Sequence, residues 1–166
     1  MSLPLKKLSI EPIPRALAKA DRYRFLNEPV QAESICLDIL SIDPENQEAL
    51  VTLLLALTDQ FGHGYKIGEI KPKDVLARLT NAYERAYYAG IVAERHAQAV
   101  LDQHAPDSRF LAHDFLTTAM RHYDEAAEMR QSGNDDALLR WNTCARIMNS
   151  RGVEPRSDQT DAQLLE

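Results

Sequence analysis

The sequence is short of the residues that mark several classes of protein. It has two cysteines, Cys36 and Cys144, with no CxxC pair and no dense cysteine framework. That excludes a disulfide-built scaffold and a cysteine-rich zinc module, and it predicts two buried free thiols in a reducing compartment. A disulfide joining them is the alternative. No apolar run is long. The longest, over residues 50–57, is interrupted by Thr52 and falls far short of the roughly 20 residues that span a bilayer. Residues 1–20 carry Pro4, Glu11, Pro12 and Pro14, so the uninterrupted apolar core of a signal peptide is missing. These features predict a cytoplasmic protein. Val and Ile are sparse beside Ala and Leu, which lowers the propensity for strands and favours helices. Positive charge is also in deficit. The net charge is −6 at pH 7, and an acidic chain repels phosphate backbones, so no nucleic-acid partner is expected. The basic N-terminal residues Lys6, Lys7, Arg15 and Lys19 read as a solvated segment.

What is present is enough for a folded core. Hydrophobic residues make up 45% of the chain, which is normal for a globular domain. The eight prolines and six glycines are confined to a few places, and proline costs about 3 kcal/mol inside a helix. Between these breakers the apolar residues recur at helical spacing. A first helix is predicted over residues 14–26. A second starts at Pro29, where its missing N–H is harmless, and buries Ala32, Ile35, Cys36, Ile39 and Leu40. A third, over residues 46–61, is apolar nearly all round and so is expected to be central. A glycine-containing loop over residues 61–71 leads to a fourth helix after Pro72, read through Tyr87 and broken at Gly90. A fifth covers residues 91–104. A sixth is capped by Asp107 or Ser108 and buries Leu111, Phe115, Ala119, His122, Ala126 and Met129. A seventh, after Asn134, buries Leu138, Trp141, Ala145 and Met148, with Cys144 beside them.

Residues 16–44 resemble a tetratricopeptide repeat, whose period is about 34 residues. Ala20 and Tyr23 fall where the first helix of that repeat carries a small residue and then a tyrosine. Ala32 takes the small position of the second helix, and Pro44 the closing proline, followed by Glu45-Asn46. Leu50, Leu53 and Leu57 would begin a second repeat. A weaker echo lies in Ala119, Tyr123 and Ala126. The chain departs from the pattern at Ala16 and Lys19, where larger apolar residues are usual, and at Leu54, which takes a small-residue slot. The resemblance implies stacked antiparallel helix pairs whose first helices line a groove for a partner peptide or helix. Carried onto this sequence, that groove consists of Leu17, Asp21, Arg24, Val51 and Leu55. An irregular helical bundle is the alternative architecture.

Catalytic and metal-binding patterns are weak. The loop with Gly62, Gly64 and Gly68 has no GxxxxGK[ST] and follows no predicted strand, so it reads as a connector. The histidines His63, His96, His104, His113 and His122 form no HExxH and no Glu-x-x-His pair. Arg121 and Glu125 sit at i, i+4 and read as a solvated ion pair. Tyr83, Tyr87 and Trp141 read as core, with Tyr88 the most exposed of the aromatic group.

The expectation is therefore an all-α fold of about seven helices in antiparallel pairs, a tetratricopeptide-like solenoid or a compact bundle. Residues 1–12 form an N-terminal extension, residues 13–152 one helical domain, and residues 153–166 a polar, disordered tail. The expected function is a non-catalytic protein-interaction adaptor with no cofactor and no metal, binding a protein or peptide. A second reading is an enzyme or a small-molecule or metal-binding bundle with a pocket near His96 and His122 or the 61–71 loop. A third is self-assembly through the apolar third helix or the helix around Trp141.

Overall fold

The computed structural model describes residues 2–63 and 70–157. The centre of the 61–71 loop and the end of the 153–166 tail lie outside the described residues. Among those described, the chain is all-helical, as its composition predicts. The helices are α1 (Ile13–Phe25), α2 (Pro29–Ile42), α3 (Gln47–Asp59), α4 (Pro72–Ala77), α5 (Ala82–Asp102), α6 (Ser108–Glu128) and α7 (Asp136–Ser150). None of them is long and apolar enough to cross a membrane. Packing divides the chain into two compact units, one ending at Tyr88 and one beginning at Ala89, so the division falls inside α5.

The helix starts follow local chemistry. Pro29 and Pro72 open α2 and α4, with φ already set for a helix and no N–H to lose. Asn46 caps α3: its Oδ1 accepts from the Ala49 amide at 2.9 Å, and its Nδ2 donates to Asp43 at 3.0 Å. A cap of this kind stabilises a helix by about 1 kcal/mol. The corner between α1 and α2 turns at Asn27, which takes φ of 59°, a region that Asn visits more readily than other side chains.

In the first unit α2 packs on both α1 and α3, and α1 also meets α3. Asp21 pairs with Thr52 and Arg24 with Asp59. Position rises along both helices together, so α1 and α3 run parallel. Glu33, near the start of α2, meets Gln60 at the end of α3, so α2 runs against them. The core is aliphatic: Ile39, Leu50, Leu53 and Leu54 are fully buried, each worth roughly 1.5–3 kcal/mol of transfer free energy.

The helix expected from Pro72 through Tyr87 is interrupted. It stops after Ala77, because residues 78–81 are held by other partners. Gln47 Oε1 accepts from the Thr80 amide at 2.9 Å and from its hydroxyl at 3.2 Å. Arg78 donates to the Pro44 carbonyl at 2.5 Å, and Asn81 Oδ1 accepts from the Glu84 amide at 3.0 Å, starting α5. These side chains outcompete the i→i−4 ladder across the break.

In the second unit the residues of α5 from Ala89 onward pair antiparallel with α6, and α7 packs on α6. Gly90 does not end a helix here. It is buried in the middle of α5, and a Cβ on it would lie 2.7 Å from Cδ1 and 2.9 Å from Cζ of Tyr123. The glycine is there to let an aromatic ring lie on the backbone.

The buried face of α6 is also rotated from expectation. Ser108, Ala112, Leu116, Ala119, Tyr123 and Ala126 are buried, while Leu111 and Met129 are 43% and 44% exposed. Close helix approach selects the small side chains for the centre of the contact and leaves the large apolar ones at its rim. On α7 the same holds. Ala137 and Cys144 are buried, Trp141, Ala145 and Met148 are half-buried, and Leu138 is exposed.

Candidate functional site

Of the residues assigned to a groove, Leu17, Asp21 and Arg24 lie on α1 and Val51 and Leu55 on α3, and Asp21 and Arg24 reach α3 through Thr52 and Asp59. Leu17 is 5% exposed, a core position and not a groove surface. Asp21, Arg24, Val51 and Leu55 are half-buried. Arg24 Nε donates to Asp59 Oδ2 at 2.8 Å, a charge-assisted bond of about 1.5–3 kcal/mol. Thr52 donates more weakly to Asp21 at 3.4 Å. The α1 and α3 positions were named from the tetratricopeptide resemblance. Asp59, which fixes the Arg24 guanidinium, stood in no motif.

The same unit holds a polar cluster behind this face. Glu33 is buried at 1% exposure and accepts from Gln60 Nε2 at 2.8 Å. Cys36 lies within electrostatic range of Asp21, Arg24 and Glu33. Burial, followed by the Asp21 carboxylate, pushes its thiol up to about 12. A thiol held protonated in this way is a poor nucleophile. Glu33, Cys36 and Leu40 share a helical face at i, i+3 and i+7, which is the signal that places the acid inside. Tyr88 is half-buried, not the exposed aromatic that its phase suggested. Burial first, then Glu84, Tyr87 and Tyr83, raise its pKa, while Arg24 opposes the shift. Tyr83 stacks on Tyr87 at 5.8 Å, and Tyr87 meets Tyr88 edge-on at 5.2 Å. The start of α5 therefore brings Tyr88 within electrostatic range of Arg24.

The second unit has its own polar centre. The Tyr123 hydroxyl donates to Glu94 Oε2 at 2.5 Å, and Arg140 Nη1 donates to Glu94 Oε1 at 3.0 Å. One carboxylate thus ties α5, α6 and α7 together. Burial, followed by Glu94, raises the Tyr123 pKa, so the phenol stays protonated and donates. Cys144 beside them is pushed up to about 12 by burial and then by Glu94. Tyr123 stood out in the sequence only by its spacing from Ala119 and Ala126. Arg140 carried no signal, because its partner is remote in the chain.

The histidines take separate partners. His96 stacks on Phe115 with ring centres 5.2 Å apart, and burial lowers its pKa. His122 Nδ1 lies 3.4 Å from Glu125, so Glu125 turns to the residue three before it. His104 Nδ1 contacts the Leu101 carbonyl at 2.7 Å. Among the described residues no three His, Cys, Asp or Glu side chains are placed to hold a metal ion. Comparison of the chain with protein-family models, with curated proteins and with solved structures returns no match.

Proposed function

We propose that this chain is a non-catalytic protein-interaction scaffold of tetratricopeptide-like type, and that its partner lies on the α1–α3 face. The reading is supported by the parallel pairing of α1 and α3 with α2 running antiparallel against both, the arrangement that one helix pair and the first helix of the next would form. The face is amphipathic. Val51 and Leu55 supply apolar area, and Asp21 and the Arg24–Asp59 pair supply charge. A partner helix or extended peptide with apolar anchors and one or two polar contacts suits such a surface. Both cysteines are protonated and buried, which leaves them unsuited to nucleophilic chemistry.

The test is affinity capture of partners by the tagged protein against Val51→Arg. Val51 is half-buried, so circular dichroism checks that the variant keeps its helices. A protein enriched on the wild type and lost on the folded variant supports the reading. Equal recovery on both, or no enrichment on the wild type, removes it.

A further inference from the structure

The segment ahead of α1 is apolar and basic, and the fold covers little of it. Leu3, Leu5 and Ile10 are 80%, 87% and 73% exposed, and between Ser2 and Glu11 only Leu8 is half-buried. Among these apolar residues stand Lys6 and Lys7, both exposed, which form no ion pair among the described residues. A single exposed leucine is ordinary. Apolar residues closely spaced around two adjacent cations are instead the pattern of a segment that docks in extended form.

The side of the first unit where α3 meets α1 has the complementary chemistry. Glu48, Val51, Leu55 and Asp59 recur along α3 at helical spacing and so share one side of it. Thr52 and Asp59 on that side bond to Asp21 and Arg24 of α1. Val51 and Leu55 are half-buried and Glu48 is exposed. The carboxylates of Asp21, Glu48 and Asp59 outnumber the guanidinium of Arg24, which is engaged by Asp59. The other cations of α1, Arg15, Lys19 and Arg22, fall by their spacing on its opposite side. Asp21 is held only by the long Thr52 bond of 3.4 Å and forms no ion pair among the described residues. A half-buried carboxylate in this position favours an incoming cation.

Chain geometry lets the two meet. The Ile13 amide donates to the Ile10 carbonyl at 3.1 Å, closing a turn through Glu11 and Pro12 from which the segment can be laid back along α1. Lys7 and Lys6 precede Ile10 by three and four residues, about 10–13 Å of extended chain. Asp21 lies eight residues beyond Ile13, about 12 Å along the helix. Laid antiparallel to α1, the two lysines fall level with Asp21. A tether this short sets an effective concentration of about millimolar, which favours the chain's own segment over that of a second copy.

We propose that residues 3–10 dock antiparallel to α1 on the α1–α3 face of their own chain, with Lys6 and Lys7 at Asp21 and the neighbouring leucines against Val51 and Leu55. The segment is exposed in the structure, so docking is a second state of the same fold. This inference rests on the scaffold reading of that face. It makes residues 3–10 a built-in competitor of the partner, which displaces them by presenting the same paired cations between apolar anchors.

The test compares the ¹⁵N-labelled full chain with the double variant Lys6→Glu, Lys7→Glu, using a synthetic peptide of residues 2–12 as the probe. In the wild type, order parameters of residues 3–10 should approach those of the helices, and the double variant should release them. The peptide should give saturable shifts at the Asp21, Val51 and Leu55 amides of the double variant. It should bind the wild type roughly tenfold more weakly, because the face is filled there. Order that rises with protein concentration would assign the segment to a second copy and overturn docking within the chain. Equal mobility of residues 3–10 in both proteins, no saturable binding to the double variant, or equal peptide affinity would also overturn it. Failure of the scaffold reading is separate, because it appears as equal partner capture by the wild type and Val51→Arg.

Discussion

The two units are built from the same kind of element but are held together differently. In the first, Ile39, Leu50, Leu53 and Leu54 are fully buried, and α2 and α3 meet through branched aliphatic side chains. Two of its polar contacts, Glu33 to Gln60 and Arg24 to Asp59, lie toward the helix ends. In the second, the fully buried positions are mostly small: Ala97, Ala112, Ala119 and Ala126. The largest side chain there is Tyr123, and it is polar at its tip. Small residues bring helix axes close, and close axes leave room for one large group only where a glycine makes space. Gly90 makes that space, and Glu94 and Arg140 satisfy the hydroxyl. The first unit thus depends on apolar area and the second on one well-satisfied polar centre.

That contrast can be broken from either side. Leu53→Ala should have the largest effect, destabilising the first unit by about 2–5 kcal/mol through lost burial and a residual cavity. Hydrogen exchange resolved by residue is the measurement. Protection should fall across α1 to α3, and a loss below about 1 kcal/mol would mean that the aliphatic core does not carry this unit. Tyr123→Phe should cost about 1–3 kcal/mol, because the Glu94 carboxylate loses its shortest donor. The loss should appear in α5, α6 and α7 amides. A neutral outcome would make the Tyr123 ring, and not its hydroxyl, the element that matters.

Gly90→Ala sharpens the comparison further, because on an ordinary helix it should stabilise by up to about 1 kcal/mol. Here the added methyl meets a buried ring that is anchored by its own hydrogen bond. Overpacking of about 1–3 kcal/mol should outweigh the gain, and urea denaturation should show a net loss. A stabilised variant would show that the ring yields.

The smallest effect concerns pH. Burial holds the His96 imidazole below its ordinary pKa, so below about pH 6.5 the unfolded chain takes up a proton there that the folded chain refuses. Its contribution to stability is full above that pH and is lost as the pH falls through the lowered folded value. His96→Phe keeps the stack on Phe115 and should flatten the acid side of the melting temperature against pH. An unchanged slope would assign acid sensitivity to other groups.

The secondary structure was legible from local chemistry. The bounds of α2 were predicted by Pro29 and by the Asp43-Pro44 break, because these signals act within a turn or two of chain, whereas α3, expected over residues 46–61, runs Gln47–Asp59 with Asn46 as its cap. The α1–α3 face was named from the tetratricopeptide resemblance, not from a local signal. Other features escaped, and for a common reason. Gly90 reads as a breaker until Tyr123, remote in sequence, is seen lying on it. The 72–87 helix reads as continuous until Gln47 is seen taking the Thr80 amide. Leu111, Phe115 and Met129 outrank Ala112 and Ala119 in hydrophobicity, yet the closeness of two helix axes put the smaller residues at the centre.

By itself, then, the sequence determined that this chain is helical, where most of its helices begin, and that its two thiols lack any motif for chemistry. Those properties depend on backbone propensity, capping and composition, all of them local. Only the tertiary structure decided which face of each helix is buried and that Glu94, Tyr123 and Arg140 form one cluster. Each of these depends on distances between residues remote in the chain, and helical periodicity carries no information about them.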